Sequence, residues 1–252
     1  MAALAAQPCR IIPSLLLRKG RLVKGVQFAA HRDAGAPATT ARAHSAQGAD
    51  EIVLLDIDSA RTGSEPDFEA LEKVADEVQI PLTFGGALTS VERMHRAIAG
   101  GADKICLTSA ALADPGLIDQ GARRFGAQAI MLGIDCKDGF VFDHVARRVR
   151  RDTTPEAWAR EATERGAGEI RLCAVDREGT RRGLDIALYR RVRAAVNVPI
   201  VLEGGIGTLE QIAEAMRAGA DSVALGTLLV FTDANLVKIR RYLQNAGIFV
   251  RP

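Results

Sequence analysis

Eight short apolar, β-branched runs, each followed by a stretch of helical period, leave this chain few folds to choose from. The runs are Arg10–Leu17, Glu51–Ile57, Leu82–Gly85, Lys104–Thr108, Ala129–Asp135, Glu169–Val175, Ile200–Leu202 and Ser222–Gly226. Seven helical stretches of roughly 10–15 residues separate them, and an eighth covers about Ala234 to Asn245. Strict strand–helix alternation requires a parallel sheet. At 252 residues, closure into a (β/α)8 TIM barrel is favoured over an open sheet. No Gly/Pro/Ser linker divides the chain, so residues 1–252 read as a single α/β domain. Residues 1–9 form a short N-terminal extension. Helix starts are also legible: Ser64-Glu65-Pro66-Asp67 offers an N-cap at Ser64, an early proline and an acidic first turn.

The chain repeats itself. Gly48-Ala49-Asp50-Glu51-Ile52 recurs as Gly166-Ala167-Gly168-Glu169-Ile170, a shift of 118 residues. At the same shift Ala87-Leu88-Thr89-Ser90-Val91-Glu92 falls on Gly205-Ile206-Gly207-Thr208-Leu209-Glu210, and Gly101-Ala102-Asp103 on Gly219-Ala220-Asp221. That period is too long for a solenoid. It suits two half-barrels of four βα units, roughly 10–126 and 127–252.

Composition removes several function classes. Apolar residues are 48% and charged residues 25%, which is ordinary globular usage. A net charge of +2 with 4% aromatics gives no nucleic-acid surface. No apolar stretch is long enough to span a membrane, and Met1–Pro8 lacks the pattern of a secretory signal. Four scattered cysteines and four scattered histidines show neither metal-ligand spacing nor a disulfide framework. Reduced thiols in a cytoplasm, with no metal and no cofactor, are the simplest reading.

In such a barrel, chemistry belongs to the loops at the carboxyl ends of the strands. Those ends carry Asp56, Asp58, Asp135 and Asp176, any of which could be a general acid or base or merely a solvated loop acid. Asp135 stands out because it ends the apolar run Ile130–Ile134. Two glycine-rich turns, Gly85–Thr89 and Gly204–Thr208, each join a strand to a helix, the arrangement that holds phosphate on backbone N–H groups. Thr108-Ser109 would complete the first site; Gly226-Thr227, with Gly179-Thr180 nearby, would complete the second. Ala87 stands where the second half has Gly205, so the second site is expected to be the stronger. At the amino ends, Arg10, Glu51, Lys104 and Glu169 could form a salt-bridged ring, either a structural plug or a gate on an axial passage. His144 with Arg147, Arg148, Arg150 and Arg151, after the fifth strand, reads as a solvated mobile segment or an anion clamp. Lys24 has the same two readings.

Taken together these segments resemble the cyclase subunit family of imidazole glycerol phosphate synthase. The resemblance covers about Arg10 to Arg251. It rests on Arg10–Gly25, Phe84–Leu88, Leu132–Gly139, Gly166–Thr180 and Glu203–Thr208. It implies a barrel that accepts ammonia from a glutaminase subunit bound at its bottom, as a heterodimer, and uses it on a bis-phosphorylated precursor. Carried over residue by residue, Arg10, Glu51, Lys104 and Glu169 match the ammonia gate and Asp135 one of two catalytic aspartates. Lys24, Gly86, Thr108, Ser109, Gly179, Thr180, Gly205, Gly207, Gly226 and Thr227 fall at or beside substrate-loop or phosphate positions.

The chain departs from that pattern at the other catalytic aspartate. A shift of 119 aligns Gly20 with Gly139 and puts Leu16 opposite Asp135. Ala87, Thr108 and Ala36 replace a glycine, an asparagine and an aspartate of the family. Leu15-Leu16-Leu17 and the Asp56–Phe68 loop resemble the cyclase-like branch found in acetamidino-sugar (surface polysaccharide) assembly. The resemblance to that branch implies ammonia routed toward an amidotransferase acting on a nucleotide-linked sugar, which is the leading expectation. The alternative is a histidine-pathway cyclase in which Asp56 or Asp58 replaces the missing acid. A third is a sugar-phosphate isomerase or a barrel that only binds.

Overall fold

The computed structural model describes residues 8–251. The reading of Met1–Pro8 as no signal therefore lies, apart from Pro8, outside the described residues. The first half contains β1 (Arg10–Arg18), a hairpin of β2 (Arg21–Val26) and β3 (Ala29–Gly35), then β4 (Ile52–Asp56), β5 (Leu82–Gly85) and β6 (Lys104–Leu107). The second half repeats the plan with β7 (Ile130–Lys137), a hairpin of β8 (Phe140–Asp143) and β9 (Arg148–Arg150), then β10 (Glu169–Ala174), β11 (Ile200–Glu203) and β12 (Ser222–Leu225). The eight barrel strands run parallel in the order β1-β4-β5-β6-β7-β10-β11-β12. β12 pairs back onto β1 from Arg10↔Ser222 to Pro13↔Leu225, which closes the sheet. The (β/α)8 barrel and its doubling are both present.

Strand parity sorts the side chains into two cores, because successive residues point to opposite faces. On β1, Ile11, Leu15 and Leu17 join the large outer core under the helices. Ile12 instead joins Val53, Cys106, Met131, Val201 and Ala224 in a small inner cluster. Six different barrel strands supply those six residues, so the cluster lines the lumen. The same parity puts Glu169, Arg171 and Cys173 of β10 on one face.

The repeat is visible in the helix caps. Ser90 caps Val91–Ala99, and Thr208, at the same place in the second half, caps Leu209–Arg217 with a full capping box to Gln211. Strand limits fall within two residues of the expected ones. Two features were not expected. The β2–β3 and β8–β9 hairpins rise from loops that carry no strong apolar alternation, and the segment read as mobile around Arg147–Arg151 is largely one of these hairpins. Three short helices, Ser59–Thr62, Ser109–Ala113 and Thr227–Phe231, also sit inside βα loops. The expected cap at Ser64 is instead Asp67, whose carboxylate accepts from the Ala70 N–H. Pro66 disfavours helical backbone at the residue before it, which delays the start.

Candidate functional site

Arg10, Glu51, Lys104 and Glu169 do meet at the amino ends of the strands. Arg10 Nη1 lies 3.0 Å from Glu51 Oε2, and its Nη2 pairs with Glu169. Lys104 Nζ lies 2.8 Å from Glu51 Oε2 and 2.6 Å from Glu169 Oε2. Each cation touches both carboxylates, so the ring is closed. Thr83 donates a further 2.6 Å bond to Glu51. Burial opposes the charge on Arg10, but Glu169 and then Glu51 outweigh it and raise its pKa.

At the other end, Asp135 sits at the top of β7, buried yet lining a cavity of about 550 Å³. One carboxylate oxygen accepts from Arg171 Nη1 at 3.3 Å, and the other lies 2.9 Å from His144 Nε2. Arg171 Nε in turn donates to Glu203 Oε2 at 2.6 Å. A buried ionic chain therefore crosses β7, β10 and β11. Burial opposes the charge on Asp135, but His144 and Arg171 prevail and hold its carboxyl below the ordinary carboxylate value. Leu16 lines the same cavity and supplies no acid.

Neither substitute for the missing aspartate is free. Asp56 accepts from the backbone N–H groups of Asp58, Ser59 and Asp67 and from the Ser59 hydroxyl. It organises its own loop. Asp58 lies 3.6 Å from Arg18 and 3.7 Å from Arg61. Asp176 accepts from the Asp138 N–H at 2.8 Å and joins two loops. Cysteine chemistry is equally remote, since burial pushes the Cys106 thiol up to about 11 and Cys136 up to about 12.

The two glycine turns meet different fates. Gly86, Ala87, Thr108 and Ser109 border the open cavity. Ala87 adopts φ +51°, a left-handed backbone where Gly205 has +104°. In the second half, the loop 176–183 folds over the site. A Cβ at Gly205 would meet the Gly183 carbonyl at 2.4 Å, and one at Gly207 would meet Arg181 Cβ at 2.3 Å. Gly179 lies under the β2–β3 hairpin, where a Cβ would reach the Gly25 carbonyl at 2.7 Å. Thr180 turns its hydroxyl onto the Arg177 carbonyl. Lys24 is buried against Gly226 and pairs with Glu178. Among the described residues, the buried Thr227 hydroxyl has no hydrogen-bond partner. The first turn thus borders the open cavity, while the second lies beneath the loop 176–183.

Sequence reasoning missed Arg171 and Glu203 as site residues. The signal existed: a charge in the apolar run Glu169–Ala174, two positions from Glu169, must share its face.

A closed, doubled (β/α)8 barrel with an ion-paired ring at one end and a carboxylate-lined cavity at the other defines a class of two-ended barrels. Within it, the chain belongs to the histidine biosynthesis protein family, which it matches over residues 10–235. It is 40% identical over 249 residues to the imidazole glycerol phosphate synthase subunit HisF of Anoxybacillus flavithermus, covering 96% of this chain and 98% of that one. The same-named subunits of Wolinella succinogenes (40% over 247 residues, 96% and 97% covered) and Geobacillus kaustophilus (41% over 249 residues, 96% and 98%) are as similar. These names favour the cyclase-subunit reading over the sugar-amidation branch, which they do not support. Among the described residues, no helix is long and apolar enough to cross a membrane.

Proposed function

We propose that the chain is the cyclase-type barrel subunit of a glutaminase-coupled synthase. Ammonia enters at the Arg10/Glu51/Lys104/Glu169 ring from a glutaminase docked there as a heterodimer partner. It reacts at the mouth with a phosphorylated small molecule, as the names of the relatives suggest for imidazole glycerol phosphate synthesis. The observation that carries this reading is the closed ring, placed at the opposite end of the lumen from Asp135. A structural plug needs no cavity with a carboxylate above it. The turns at Gly86–Thr89 and Gly205–Thr208 would hold the anionic ends of the substrate, and no metal or cofactor enters the scheme.

One observation favours a second reading. Leu16 leaves Asp135 without a second carboxylate across the mouth, and losing one of two acid–base groups costs ~10²–10⁴ in rate. Under that reading the barrel routes ammonia to an amidotransferase acting on a nucleotide-linked sugar. The deciding experiment supplies a glutaminase subunit, glutamine and the bis-phosphorylated imidazole precursor. Formation of imidazole glycerol phosphate supports the first reading; stimulated glutaminase without that product supports the second.

A further inference from the structure

His144 stands at the turn between β8 and β9, its side chain 30% exposed and facing the cavity. Its ring is wedged edge-on between Phe28, centroids 4.4 Å apart, and Phe142, at 4.9 Å. Its Nε2 faces Asp135 Oδ2, and among the described residues no protein group bonds its Nδ1. Asp135 is committed on its other side to Arg171, itself anchored to Glu203. We propose that His144 is the group that moves protons at this cavity, with Asp135 its orienting anion and Arg171 the residue that fixes Asp135. This rests on the reading of the mouth as a reaction site.

Protonating Asp135 would break two ion pairs in a buried site, so it is a poor proton carrier but a good fixed charge. An imidazole with one nitrogen held by a carboxylate keeps a defined tautomer and leaves the other nitrogen free to act. In the step, an N–H or O–H bond of the ligand breaks, its electron pair stays on the ligand, and a new N–H bond forms at Nδ1. The imidazolium is compensated by Asp135, then gives the proton to a ligand hydroxyl as its C–O bond breaks; the pair left by the first deprotonation forms the replacing C–N bond, and water leaves. The charged groups around the ring are Asp135 on β7, Arg171 on β10, Glu203 behind it on β11, and Asp143 on its own hairpin. Lys137 lies over the Phe142 ring, and His31 lines the same cavity. The wedge of Phe28 and Phe142 limits rotation of the imidazole away from Asp135.

The test has two arms on the full chain. In the first, 15N NMR of labelled histidine reads the tautomer of the His144 ring. The expected result is a proton fixed on Nε2, facing Asp135, and a shift of that preference toward Nδ1 in Asp135→Asn. A ring proton held on Nδ1 in the unmodified protein, or a tautomer that Asp135→Asn leaves unchanged, overturns the proposal. In the second arm, ammonium-driven turnover of the bis-phosphorylated precursor is compared for the unmodified protein and His144→Gln. The variant should lose ~10²-fold or more in kcat with KM within about threefold, and added imidazole should restore part of it. Unchanged kcat overturns the proposal. If the unmodified protein gives no turnover, the reading of the mouth as a site for that precursor fails, and the tautomer arm still decides the role of His144.

Discussion

Lys24, on the first hairpin, and Glu178, in the loop after β10, form an ion pair with both side chains at most 6% exposed. The pair fastens the two loops together over Gly226, where a Cβ would lie 2.5 Å from Lys24 Nζ. Breaking a buried pair strands a charge and costs about 3–5 kcal/mol, whereas replacing both partners with apolar groups is far milder. Glu178→Gln is expected to lose that amount in urea unfolding, and Lys24→Met/Glu178→Leu to recover most of it. Single variants that each cost under about 1 kcal/mol would show that the pair is solvated in solution.

The environment of Asp135 makes a pH prediction. Its carboxyl is held below the ordinary value, so its contribution to stability is complete above the unfolded-state pKa of about 3.9. That contribution disappears as pH falls through the lower folded-state value. Asp135→Asn is expected to flatten the acid limb of stability against pH below about pH 4. Chemical denaturation at a series of pH values measures it, and parallel curves for the two proteins would be the contrary result.

Gly86 and Gly139 both have positive φ, at +121° and +81°, but only Gly86 is crowded. A Cβ there would sit 2.2 Å from the Asp56 carbonyl oxygen, while at Gly139 no atom of the described residues lies within 4 Å. Gly139→Ala should therefore cost about 1 kcal/mol. Gly86→Ala should cost about 3 kcal/mol or more, since strain and overpacking add. Thermal unfolding of the two variants tests the ranking.

Leu16 is buried at the mouth, between Leu55 of β4 and Val23 of β2. Leu16→Asp should destabilise the protein by about 1–3 kcal/mol through a buried, unpaired carboxyl. It should also raise any trace of imidazole glycerol phosphate formation, measured with ammonium as nitrogen source. No change in that rate would mean that Ala87, Thr108 and Ala36 have already reshaped the pocket.

Much of this was legible before any coordinates. The barrel followed from eight alternations, the doubling from a repeat, and the ring from charges at four strand starts, because strand parity and strand ends are sequence properties. The hairpins were not legible: Ala29–Gly35 is mostly exposed and carries no apolar alternation. The commitments of Asp56 and Asp58 were hidden for another reason. Their partners Asp67 and Arg18 come from beyond the next helix and from the end of β1, and which hydrogen bonds a loop carboxylate makes depends on loop geometry. The packing of the loop 176–183 across Gly205 and Gly207 was hidden likewise, since it too depends on loop geometry.

On the proposed function, ammonia passes from a partner glutaminase through the ring to the mouth. The most direct test is the origin of the nitrogen in the product. The protein is assembled with a glutaminase subunit and given the precursor, amide-15N-labelled glutamine and excess unlabelled ammonium. In the unmodified protein, product nitrogen is expected to come almost wholly from glutamine. In Arg10→Ala and Lys104→Ala the label should fall toward that of the bulk ammonium while glutamine hydrolysis continues. Product formed by the unmodified protein with the isotopic composition of the bulk, or variants that keep full label, would contradict it.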